Sequence, residues 1–124
     1  LNGRIVPEDI LTGYKWLEQY GLVRALYMVH ATRVFNVTDN ARRSNIVNGI
    51  ISGSALQGFN RLYKTKWNHI DKIIIAGSKE YIKSYEIILK QCHSDLDVKT
   101  VLQDKNESFS LKGLKEILKR VNLK

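Results

Sequence analysis

The chain has 124 residues, 44% of them hydrophobic, and a net charge of +8. That length suits one domain with its own core, and the composition excludes a disordered or low-complexity chain. No apolar run nears the roughly 18 residues of a membrane helix, and the charge leaves nucleic acid as a partner class to be weighed.

The first half reads as helical. Pro7 suits the first position of a helix, Glu8 and Asp9 complement its dipole, and Ile10, Tyr14 and Leu17 share a face until Gly21 stops it. This predicts a helix over 8–20. A second, over 22–35, carries Leu22, Leu26 and Val29 on one side with Val23, Tyr27 and His30 beside them. Thr38 or Asp39 can cap a third, over 39–63, bearing Ile46, Gly49, Ile50, Gly53, Leu56 and Phe59. Gly49 and Gly53 each cost about 1 kcal/mol of helix propensity relative to Ala. A helix accepts that cost where a backbone or a flat ligand must come close; close packing against a sheet is the plainer explanation.

The second half alternates. Ile73-Ile74-Ile75-Ala76 reads as a buried strand over 72–76, and Gly77-Ser78 as a tight turn into a helix over 79–92 with Tyr81, Tyr85, Ile88 and Cys92 on one stripe. Small residues at the carboxyl end of a strand let a ligand near the backbone, and the next helix offers free N–H groups. The same turn also fits an ordinary strand-to-helix connection. A second strand is expected over 98–102 and a last helix over 111–121, capped by Ser108 or Ser110. The 64–69 and 104–107 stretches read as loops. Strand–helix–strand implies a right-handed crossover and two parallel strands. Two such strands do not make a stable sheet alone, so missing sequence or another copy is expected to complete it.

Residues 1–60 hold six basic and four acidic residues, and residues 61–124 hold fourteen and eight. The excess lies mostly in single lysines at polar helix positions, such as Lys79, Lys83, Lys90, Lys112, Lys115 and Lys119, which reads as solvated surface. Cys92 is the only cysteine, which excludes an intrachain disulfide and a multi-cysteine zinc site and favours a reducing, cytoplasmic setting. Its position suggests a small core residue. His30, His69 and His93 lack a second metal ligand at helical spacing, no Walker loop or nucleophile elbow is present, and the spacing suggests no catalytic Cys–His pairing. The chain shows no general base or nucleophile. It begins at Leu1, without a signal-peptide pattern, and is expected to be processed or part of something longer.

Taken in order, these landmarks resemble the C-terminal part of the 2-dehydro-3-deoxygalactonokinase family, sugar-acid kinases of the actin-like ATPase superfamily. The likeness runs through Gly21-Leu22-Val23-Arg24-Ala25-Leu26-Tyr27, then Asn48-Gly49-Ile50-Ile51-Ser52-Gly53, then Ile75-Ala76-Gly77-Ser78 with Tyr81 and Tyr85, and finally Gly113-Leu114. It implies an α/β fold: a helical half followed by a strand–helix–strand–helix unit, forming an incomplete ribonuclease H-like domain over residues 1–124. It implies ATP as cosubstrate, Mg²⁺ in the intact enzyme, a 2-dehydro-3-deoxy sugar acid as phosphoryl acceptor, and a cytoplasmic protein. Gly49, Gly53, Gly77, Ser78 and Tyr81 would border the adenosine half of the nucleotide site. The family's phosphate-binding segments are absent, so this chain alone is expected to be inactive. The family commonly has Arg where Met28 and His30 stand, and Glu where Ala55 stands. These departures keep a second reading open, a non-catalytic binding or regulatory module of the same fold. A nucleic-acid-binding domain ranks third, on charge alone.

Overall fold

A computed structural model describes residues 4–63, 70–103 and 109–122. The chain is a mixed α/β structure, mostly helical, in the order α1 (Pro7–Tyr20), α2 (Leu22–Val34), α3 (Asn40–Tyr63), β1 (Lys72–Gly77), α4 (Lys79–Cys92), β2 (Asp97–Leu102) and α5 (Phe109–Asn122). The expected loops at 64–69 and 104–107 and the Ser108 cap lie outside the described residues.

The helical half is built around α1 and α3, which pack along most of their common length. Pro7 opens α1, and Gly21, at φ 81°, closes it through a backbone bond from its N–H to the Leu17 carbonyl. Asp39 caps α3: its carboxylate accepts from the Arg42 N–H at 2.8 Å. Leu17, Ala25, Val29, Ile46 and Ile50 form the core, with Tyr14, Trp16 and Val47 against it. Asn45 is buried and ties the segment before α1 to α3. Its amide donates to the carbonyls of Arg4 and Ala41 at 2.8 and 2.9 Å, and its oxygen accepts from the Val6 N–H at 3.1 Å. Beside it, Arg42 reaches across to the buried carboxylate of Asp9 at 3.1 Å.

The strands are parallel and adjacent, with Ile73 opposite Val98 and Gly77 opposite Leu102. Helix α4 lies against both strands and docks on α3, where the Ser84 hydroxyl donates to the Asn48 carbonyl at 3.1 Å. Ile82, Ile88 and Leu89 are its buried side chains. Only one side of the sheet is lined this way. Ile74 on the other side is 62% exposed, and each strand has one neighbour among the described residues. On α5, Leu114, Ile117, Leu118 and Val121 are all exposed.

The third helix's glycines were read as points where a backbone or a flat ligand comes close, with packing on a sheet as the plainer explanation. The backbone of α1 comes close at Gly49, and Gly53 meets the Tyr14 side chain of the same helix rather than a sheet. One further expectation is corrected. Cys92 is exposed at the end of α4 rather than a core residue, since the buried stripe runs through Ile82 and Leu89 instead.

Candidate functional site

The β1–α4 turn is the place where the strand ends, the backbone opens and a helix begins. Gly77 has φ 157°, a conformation that side-chain-bearing residues rarely adopt, and a Cβ there would meet nothing within 4 Å. Ser78 follows as the N-cap of α4, but its side chain makes no capping bond. Its hydroxyl and the first N–H groups of α4 are therefore not used up in closing the helix. Tyr81 stands one turn further on, 57% exposed. Tyr85 is half-buried, and burial, followed by the neighbouring Tyr81, raises its phenol above the ordinary range.

Tyr81 forms part of the wall of a cavity of about 700 Å³ between α2, α3 and the start of α4. One wall is the α2 stripe Leu26, Val29, His30 and Arg33; the other is the α3 stripe running from Asn40 through Arg43, Val47 and Asn48 to Ile51. Both repeat at helical spacing, which is why two helices leave a continuous groove here. Among the described residues no carboxylate lines it.

Gly49 and Gly53 lie elsewhere. A Cβ on Gly49 would come within 1.9 Å of the Ile10 carbonyl oxygen, and one on Gly53 within 2.5 Å of the Tyr14 ring. On their Cβ sides both glycines pack on α1. The structure thus keeps Gly77, Ser78 and Tyr81 together and separates Gly49 and Gly53 from them. Arg33 and Arg43 were missed by sequence reasoning. The signal for Arg33 was present in the spacing of Leu26, Val29, His30 and Arg33, whose face carries polar groups exactly where the core stripe ends.

At the far end of α4, Cys92 adjoins Tyr14, Glu18 and His93. Burial, Cys92 and Glu18 hold the Tyr14 phenol well above its usual range, and burial lowers His93. Among the described residues no group of His, Cys, Asp and Glu could hold a metal ion, and no helix is long and apolar enough to cross a membrane. Comparison with protein-family models, curated proteins and solved structures gives no match.

Proposed function

We propose that the chain is the C-terminal nucleotide-binding portion of a 2-dehydro-3-deoxygalactonate kinase. In this reading its parallel strands belong to a ribonuclease H-like domain completed by a preceding segment or another copy. The intact enzyme transfers the ATP γ-phosphate to the sugar acid. Mg²⁺ finds no ligand cluster among the described residues, and no step is assigned to it.

The observation that supports this reading is the β1–α4 turn. A parallel strand ends in a glycine with open space at its Cβ, an N-cap serine keeps its hydroxyl off the helix, and a tyrosine one turn on borders a cavity. Ligands of open α/β sheets bind outside the carboxyl ends of the strands. The second reading, a binding module without catalysis, draws support from His30, which lines the same cavity where the resembled family commonly carries Arg.

Gly77→Val is a poor probe, because its φ would strain any side chain whether or not a nucleotide comes near. Ser78→Val and Tyr81→Ala are the variants to use. In the protein as translated from its gene, ADP formation that depends on 2-dehydro-3-deoxygalactonate supports the kinase, and weaker ATP binding by both variants at unchanged melting temperature supports the site. ATP binding without turnover selects the non-catalytic module. No ATP binding at all defeats both.

A further inference from the structure

We infer that the cavity between α2 and α3 is a binding site for an organic anion, a phosphate or carboxylate carried on an apolar body. This site shares Tyr81 with the Gly77-Ser78 turn but neither Gly77 nor Ser78, and it does not depend on the kinase reading.

The polar end of the cavity is cationic. Arg33 comes from α2 and Arg43 from the start of α3, with His30 beside Arg33. No carboxylate lines the cavity, and neither arginine is ion-paired among the described residues. The contrast with the adjacent residue is informative. Arg42 turns to the α1 side and pairs with buried Asp9, whereas Arg43, one residue on, turns to the α2 side.

Arg43 is held in place rather than loose. Its guanidinium donates to the Thr38 carbonyl and to the Asn40 side chain, which leaves part of the fork for a ligand. Thr38 is itself tied to α2 through the Thr32 hydroxyl at 3.0 Å, and Thr32 donates to the Val29 carbonyl at 2.6 Å. The turn between the two arginine-bearing helices is thus braced from both sides.

A braced guanidinium pre-organises two N–H groups for one anionic group, which suits phosphate or carboxylate better than halide. The rest of the wall is mixed: Leu26, Val29, Val47 and Ile51 are apolar, Asn40, Ser44, Asn48 and Ser52 are polar, and the Tyr81 ring stands among them. The apolar part of that wall suits a flat or hydrocarbon body attached to the charge.

The test is calorimetric titration of the full chain with phenyl phosphate, benzoate and the uncharged control phenol. Phenyl phosphate or benzoate is expected to bind, and the tighter of the two identifies the anionic group. Arg33→Gln is expected to weaken that binding about tenfold, and Arg33→Glu to abolish it. Arg33 is exposed on α2, so both variants should melt with the parent; Arg24→Gln, on the same helix and outside the cavity, is expected to bind like it. Binding of neither anion overturns the proposal, as does equal binding by the Arg33 variants or tighter binding of phenol. The kinase reading fails separately, on sugar-acid-dependent ADP formation.

Discussion

Gly49 of α3 rests against the Ile10 carbonyl of α1, so close that a Cβ would lie 1.9 Å from the oxygen. Gly13 of α1 makes the reciprocal approach, its Cβ position 2.0 Å from the Ile46 carbonyl oxygen. The two helices therefore meet backbone to backbone, and a methyl group at either point has only main chain to displace. Gly49→Ala and Gly13→Ala are each expected to cost about 3 kcal/mol or more by forcing the helices apart. Gly58, later on α3 and with nothing near its Cβ position, provides the contrast. There Ala should stabilise the chain by about 1 kcal/mol through helix propensity. Urea denaturation of the three variants checks the pattern; equal effects at 49 and 58 would refute the close seam.

Asn45 is the buried polar link between the segment before α1 and the helices. It satisfies three backbone groups at once, and two of its bonds use the amide as donor. Asn45→Asp keeps size and the acceptor but cannot donate to the Arg4 and Ala41 carbonyls when ionised. Both Asn45→Asp and Asn45→Ala are expected to lose about 2–3 kcal/mol, with the larger loss for Asp at neutral pH. Thermal melts at neutral and mildly acidic pH separate the two, since protonation restores one donor to Asp alone.

Much of the secondary structure was legible because it rests on local rules. Pro7 and Gly21 bracket α1, the Ile73–Ile75 run gives β1, and parallel pairing follows from the strand–helix–strand order. The partners of each face were not legible. Gly49 signals that something comes close, but periodicity cannot say whether that is a sheet, a ligand or α1. The answer depended on Gly13, a glycine easily passed over inside an ordinary amphipathic helix. The stripe on α4 was misjudged by one position for a similar reason. Tyr81, Tyr85, Ile88 and Cys92 share a face by spacing, yet both its ends are exposed, while Ile82 and Leu89 beside it are inside. Of the candidate site, the turn was visible in Gly77-Ser78. The cationic wall was hidden, because Arg33 and Arg43 are ten residues apart and line one cavity only when α2 folds back along α3.

Cys92 offers a pH prediction. Although Cys92 is exposed as a residue, partial desolvation pushes its thiol up, a hydrogen bond from Tyr14 pulls it down, and the charge of Glu18 pushes it up again, with a net rise. The thiolate is the reactive form, so alkylation by iodoacetamide at pH 7 should be slower than for a free cysteine, whose pKa is about 8.5. The rate should climb on moving to more alkaline pH, with a midpoint above that value. Tyr14→Phe removes the bond that favours the thiolate and is expected to move the midpoint further up. Glu18→Gln removes a repelling charge and should move it down. A midpoint at or below that of glutathione would contradict the arrangement.

The apolar face of α5 and the uncovered side of the sheet lead to the last expectation. Leu114, Ile117, Leu118 and Val121 recur at helical spacing and are each close to 58% exposed, while Ile74 is exposed on β1. Scattered apolar residues are ordinary on a surface, but a continuous exposed stripe on one helix together with a half-covered sheet is not. A two-stranded parallel sheet also leaves both edges with main-chain donors and acceptors to satisfy. The isolated chain is expected to self-associate, with a scattering mass above that of one copy that falls on dilution. It should also enhance the fluorescence of an apolar dye such as ANS. Leu114→Glu with Leu118→Glu should reduce the dye signal and the association while leaving the helical half folded, because α5 contributes no buried side chain to that core. If association persists in this variant, the open edge of β1 is the remaining surface to block, and Ile74→Pro tests it. A chain that stays monomeric at high concentration and binds no dye would show that these faces are covered within one copy.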